Sequence, residues 1–172
     1  MELNEARRKY IELWGSLGSQ WGINRTMAQM HAYLLSSSDP QSSIDIMEAL
    51  QLSRGNVNMN IRTLMDWGLV SKKHIPNDRK EFFLADKNML RVGATIARER
   101  KKRELEPLIA LLQTFGNIEG DTEASEVFND LTRDTLEYAK RCDEMLELLI
   151  RSQGSWLLKA AKYFSKFKKV TA

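Results

Sequence analysis

The stretch that decides the fold of this chain is residues 42–85, SSIDIMEALQLSRGNVNMNIRTLMDWGLVSKKHIPNDRKEFFLA. Its first half predicts two short helices joined by the tight Gln51-Leu52 connection, because a serine able to cap a helix precedes each apolar stripe of helical spacing. The expected inner faces are Ile44, Met47 and Leu50 in the first helix and Val57, Ile61 and Leu64 in the second.

In the second half of the stretch, the spacing of the apolar residues changes from that of a helix to the two-residue repeat of a strand. It predicts a strand over residues 69–75, a turn over 76–79 and a returning strand over 80–85. Two short helices followed by a hairpin with a charged tip are the order of a winged helix-turn-helix.

Helices are expected on both sides of this unit. An N-terminal helix is predicted to end at Gly18 and Gly22, a second helix to run from Asn24 to Ser36, and two long helices to follow residue 88 with a break at residues 117–120. The expected fold is therefore mostly α, with a two-stranded β-wing. The expected regions are an N-terminal dimerisation helix (1–22), the winged helix-turn-helix (23–87) and a helical dimerisation region with a basic tail (88–172).

Composition excludes several classes of protein. The chain has 172 residues, 42% of them hydrophobic, and its single cysteine rules out a disulfide framework. No apolar run approaches the roughly 18 residues of a membrane span, and the N-terminus does not look like a signal peptide. A cytoplasmic protein is expected. His31 and His74 lie far apart, and no nucleophile elbow, P-loop or dinucleotide fingerprint occurs, so neither an enzyme nor a metal or cofactor site is predicted.

Charge is unevenly distributed along the chain. Residues 53–103 carry a net charge of +8 and residues 153–172 a net +5, whereas residues 104–152 between them carry −8. Two basic segments favour a polyanionic partner, although solvated surface charge explains the same pattern.

The second short helix and the hairpin supply residue types that read DNA. Arginine pairs with guanine, and asparagine with adenine, in the major groove. Cations at a wing tip reach phosphate or a minor groove, and Asp78 is expected to orient Arg79. The candidate contacts are Arg54, Asn56, Asn58 and Arg62 on the helix, Lys72 on the first strand, and Arg79 and Lys80 at the tip.

A narrow apolar seam marks the last long helix. Its positions alternate four and three residues apart, which is typical of helix-on-helix packing between subunits. The predicted interface residues are Phe128, Leu131, Tyr138, Cys142, Met145 and Leu149. After this helix, residues 156–170 predict a basic amphipathic tail, for which packing against a dimer partner and a membrane-surface anchor are both open.

Five segments together resemble the GbsR-type branch of the MarR superfamily of regulators: residues 21–26 (WGINRT), 53–58 (SRGNVN), 64–70 (LMDWGLV), 76–80 (PNDRK) and 99–104 (ERKKRE). The resemblance implies a homodimeric transcription regulator, usually a repressor, that binds an inverted repeat in double-stranded DNA. Its recognition helix corresponds to residues 53–67, which adds Ser53 to the expected DNA contacts. Asn77 stands where the family commonly has glycine, and asparagine tolerates the positive φ that such a turn needs.

The resemblance also implies a small-molecule effector, because founding members are similar to sensors of choline. Choline is a quaternary ammonium compound, and proteins bind such a cation in a cage of aromatic rings. Rings for such a cage are available at Tyr10, Trp14, Trp21, Tyr33 and Trp67, although core packing explains them equally well. The alternative function is a winged-helix interaction module that does not read DNA.

Overall fold

A computed structural model describes residues 1–116, 118 and 122–152. It confirms a mostly helical winged-helix fold with a small antiparallel sheet. The chain divides into two compact units, Met1–Met89 and a second unit that begins at Leu90. The elements are α1 (Leu3–Gln20), α2 (Arg25–Ser36), β1 (Gln41–Ser42), α3 (Ser43–Leu50), α4 (Arg54–Asp66), β2 (Val70–Lys73), β3 (Phe82–Ala85), α5 (Met89–Arg100), a π-helical turn (Lys101–Leu105), α6 (Glu106–Phe115) and α7 (Glu123–Arg151).

The two short helices of the first unit are fixed by their caps, as predicted. The Ser42 hydroxyl accepts from the Asp45 amide while the Asp45 carboxylate accepts from the Ser42 amide, a reciprocal capping box at the start of α3. Gln51 then adopts a left-handed conformation with φ +52°, and the Ser53 hydroxyl caps α4 by accepting from the Asn56 amide. The connection between the helices is therefore as tight as the sequence indicates.

The predicted inner face of α4 is confirmed, since Val57, Ile61 and Leu64 are all buried. The prediction for α3 is wrong at Ile44, while the predicted Met47 and Leu50 are half-buried. Ile44 is 49% exposed, whereas Ile46 is fully buried. Ile44 belongs to the first turn of α3, and this turn faces a surface cleft instead of the core.

The wing is a hairpin of β2 and β3, and Asn77 in its turn has φ +66°, which confirms the prediction for that residue. The sheet has three strands, in the order β1-β3-β2, because the two residues of β1 also pair with β3. Ser42 therefore belongs both to the sheet and to the cap of α3. A strand of two residues carries no periodicity, so the sequence predicted only two strands.

The predicted end of the N-terminal helix is wrong at Gly18, because α1 continues through it to Gln20, and is confirmed at Gly22, which has φ +70° just after the helix. Gly18 is buried in the contact between α1 and α2, where a Cβ would lie 2.5 Å from the Ala28 Cβ. The glycine permits close helix packing and does not end the helix.

Most of the described residues of the second unit are helical. A π-helical turn interrupts the predicted long helix between α5 and α6, and its Lys101 Nζ lies 3.1 Å from Asp143 Oδ1 and 3.5 Å from Glu147 Oε2 of α7. The predicted break at 117–120 falls largely, and the tail at 156–170 entirely, outside the described residues. No helix in the described ranges is long and apolar enough to cross a membrane.

Candidate nucleic-acid interface

A cleft of about 370 Å³ opens where α3, α4 and the wing meet. The start of α3 forms one side, the first turns of α4 form the second, and the end of the wing turn with the adjoining residues forms the third. The lining residues are Ser42, Ser43, Ile44, Arg54, Asn58, Arg79, Lys80 and Glu81. Four of the predicted DNA contacts, Arg54, Asn58, Arg79 and Lys80, thus share one surface feature.

The cleft is positively charged. The side chains of Arg54, Arg79 and Lys80 are exposed, and none of them forms an ion pair with any residue the structure describes. The single carboxylate in the lining, Glu81, accepts a 2.6 Å hydrogen bond from Lys72 Nζ. Lys72 thus offsets the charge of Glu81, and Arg54, Arg79 and Lys80 give the cleft its positive charge.

At the wing tip, the predicted role of Asp78 is wrong. Its carboxylate accepts a 2.9 Å hydrogen bond from the main-chain amide of Lys80, two residues further on. Asp78 therefore shapes the turn, as short acidic side chains commonly do. Arg79 is exposed, lines the cleft and has no side-chain partner within the described part of the chain.

The outward face of α4 continues the polar surface beyond the cleft. Arg62 and Asn58 are exposed there, and neither side chain has a hydrogen-bond partner among the described residues. Met59, 59% exposed, is the apolar member of this face. The exposed side chains of this face have no described contact that stabilises the fold, so they are available to bind a ligand.

Two of the three asparagines in α4 are explained by the fold. Asn60 is buried, and its side-chain amide donates to the main-chain oxygen of Asn56 and to the Asn56 side-chain oxygen. Ser53 is likewise engaged as the helix cap. Contacts of Ser53 and Asn56 with DNA stay predictions.

The five aromatic residues predicted for an effector are used in different ways. Tyr10 and Trp14 stack with ring centroids 5.6 Å apart, and Trp14 also approaches His31. The Tyr33 hydroxyl donates to Gln41 Oε1, while Trp21 is exposed at the end of α1 and Trp67 caps the end of α4. A stacked pair is present, and a cage built from all five rings stays a prediction.

The predicted seam of α7 divides into two sets. Leu131, Tyr138 and Met145 are 60–71% exposed and follow one another at seven-residue intervals, which places them on one face of α7. The other set contacts its own unit: the Phe128 ring meets Phe115 edge-on at 6.1 Å, Leu149 is half-buried, and Cys142 lines a groove of about 430 Å³ beside the π-helical turn. A hydrogen bond with the Cys142 thiol raises the pKa of the Tyr138 hydroxyl.

Among residues 1–116, 118 and 122–152, no group of three or more histidine, cysteine or acidic side chains is arranged to hold a metal ion. The described histidines lie on α2 and just after β2, and neither one lines the cleft.

A family model and one solved structure agree with this architecture. Residues 26–82, from α2 to the start of β3, match the model of the MarR family. A solved structure of a transcriptional regulator superposes with a TM-score of 0.62 at 19% identity, covering 89% of this chain and 99% of its own. A mutant of S. aureus MepR bound to an oligodeoxyribonucleotide is more distant, with a TM-score of 0.40 at 16% identity over 78% of this chain and 91% of its own. No curated protein matches the chain in sequence.

Proposed function

We propose that this chain is a sequence-specific, DNA-binding transcription regulator that reads duplex DNA with α4 and the wing. One observation carries the proposal: the cations of the cleft and of the outward face of α4 are exposed and unpaired within the described structure. The second unit also has exposed cations without a described partner, such as Arg98 and Lys140, so what matters is that Arg54, Arg79 and Lys80 line one cleft. Free cations on a winged helix fit a polyanion.

The roles of the side chains follow from their positions. Asn58 and Arg62 lie on the face that would enter a major groove, where their donor patterns suit adenine and guanine. Arg79 at the wing tip would reach a minor groove or phosphate, and Lys80 would contact the DNA backbone. Lys72 would have to leave Glu81 to make the same kind of contact.

A homodimer on an inverted repeat is proposed from the exposed side of α7. Leu131, Tyr138 and Met145 form a narrow, exposed apolar stripe on α7. A stripe of this width is typical of helices that pair between subunits. In a two-fold dimer the two copies of α4 would lie about 34 Å apart, one turn of DNA. The predicted N-terminal dimerisation helix would contribute the exposed Leu3 and Leu13.

The finer assignment to the GbsR-type branch rests on the five sequence segments that resemble it. It suggests a repressor modulated by a small-molecule effector, for which the Tyr10–Trp14 stack is the starting point in this structure. An effector would act by favouring the subunit spacing that does not fit the operator. A DNA partner is consistent with the expected cytoplasmic location.

The test is selection from a randomised duplex pool at near-physiological salt, followed by sequencing. Recovery of an inverted repeat supports the proposal, and Arg62→Ala should then bind it with relaxed preference. Arg8→Ala, which removes an exposed cation from α1, is the matched control and should behave as wild type. Salt-sensitive binding without an enriched motif would contradict sequence-specific reading, and no binding would favour the interaction module.

A further inference from the structure

Gly55 occupies a helical position that the fold itself does not require to be glycine. It lies in the first turn of α4, and its φ is not positive. A Cβ built at this residue would meet no atom of the described chain within 4 Å. Glycine is nevertheless among the least favourable residues for a helix.

The glycines of α1 show what an internal requirement looks like. A Cβ at Gly15 would lie 2.6 Å from a side-chain carbon of Gln29, and one at Gly18 would clash with Ala28. Both glycines are buried, and both are explained by the close approach of α2. Gly55 is exposed and has no such neighbour.

The location of Gly55 suggests why this helical position is a glycine. Its neighbours Arg54 and Asn58 both line the positively charged cleft, so Gly55 lies at the edge of the surface assigned above to DNA. A residue without a side chain lets another molecule approach the main chain closely. We infer that Gly55 sets the docking distance of α4: the first turn of the helix comes so near the duplex that a methyl group here would strike it.

This inference rests on the proposed function and adds a positioning residue to it. Gly55 makes no base-specific contact of its own. It acts by letting Asn58 and Arg62, one and two turns further along α4, reach base edges in the groove.

A matched control exists in Gly93. It also lies inside a helix, α5, without a positive φ, and a Cβ there would meet no described atom within 4 Å. Unlike the neighbours of Gly55, those of Gly93 do not line the cleft. Gly55→Ala and Gly93→Ala therefore make the same chemical change in a helix, at positions where the added methyl group meets no described atom.

The experiment measures the dissociation constants of wild type, Gly55→Ala, Gly55→Leu and Gly93→Ala by fluorescence anisotropy at one salt concentration. The probes are the duplex recovered from the randomised pool and a scrambled duplex of equal length and composition. Thermal unfolding midpoints are measured alongside. Both alanine variants should unfold at the wild-type midpoint or above it, because alanine favours the helix.

Only the substitutions at Gly55 should weaken binding to the selected duplex, by about 10-fold for alanine and more for leucine, since an added methyl group must be accommodated by withdrawing the helix. Binding to the scrambled duplex should change by no more than about twofold, because non-specific complexes depend mainly on charge. Equal affinity of Gly55→Ala and wild type would overturn the inference, as would a lowered unfolding midpoint that reveals an internal role. Failure of wild type to bind any duplex would instead overturn the proposed function.

Discussion

His31 makes the stability of the first unit depend on pH. The imidazole lies on α2, it is 2% exposed, and its Nε2 is buried without a hydrogen-bond partner among the described residues. Burial lowers the pKa of His31 from 6.5 to about 4, and the nearby Asp86 carboxylate opposes this only in part. Between pH 6.5 and about 4, the folded protein therefore holds a neutral ring where the unfolded chain holds a charged one.

The size of the effect follows from the two pKa values. A tenfold change in an equilibrium constant is about 1.4 kcal/mol, so lowering the pKa from 6.5 to about 4 corresponds to about 3 kcal/mol. Between these values the unfolded state binds more protons, so stability falls as the pH falls. The loss begins near pH 6.5 and is complete below about pH 4.

The assay is urea unfolding at intervals from pH 7.5 to 4.5, for wild type and His31→Met at equal protein concentration. Methionine adapts to irregular core space and does not titrate, so other groups contribute the same pH dependence to both proteins. Wild type should lose about 2 to 3 kcal/mol more than the variant over this range. His74→Gln, at an exposed histidine, should follow wild type. Parallel curves for wild type and His31→Met would refute the reasoning.

Four further substitutions have expected results. Arg62→Ala should lose about 1–3 kcal/mol of binding free energy on the selected duplex and relax the sequence preference of the protein, as measured by competition. Arg79→Ala should weaken binding to all duplexes alike and lower the slope of log affinity against log salt concentration by about 1, as measured by salt titration. A loss confined to one operator variant would contradict the role of Arg79. Tyr138→Asp places a charge in the exposed stripe of α7 and should give monomers in sedimentation velocity, so a variant that still dimerises would remove this helix from the interface. Gly18→Ala should destabilise the chain by about 1–3 kcal/mol in urea unfolding, because its methyl group must displace Ala28, and an unchanged midpoint would mean that α1 moves aside freely.

The parts of the fold that depend on local chemistry were predictable. Ser42 and Ser53 cap their helices because a short hydroxyl side chain satisfies free amides wherever a helix begins. The buried face of α4 follows from helical periodicity alone, and the positive φ of Asn77 follows from the demands of a tight turn.

The parts that depend on distant neighbours were not predictable. Gly18 reads as a helix end until α2 is placed against it, and Ile44 reads as core until the wing opens a cleft beside it. The π-helical turn at residues 101–105 has no periodic signature, and its Lys101 finds Asp143 only through tertiary packing.

The candidate interface was predicted as residue types, and the structure added their arrangement. The sequence identified Arg54 and Lys80 as separate candidates on a helix and a hairpin, and the fold brings both into one cleft. Gly55 could not be singled out from the sequence, because only the structure shows that a Cβ at this position would meet no described atom within 4 Å.

The outward face of α4 has a consequence for how this protein can change over generations. Its exposed side chains Asn58, Met59 and Arg62 contribute no core contact, so replacing them leaves the free energy of unfolding nearly unchanged. Most positions in a protein tolerate only substitutions that preserve its stability. At these three positions, the constraint comes from what the side chains bind. Under the proposed function, two copies of such a gene can therefore diverge in the DNA sequence they recognise while the fold beneath α4 stays the same.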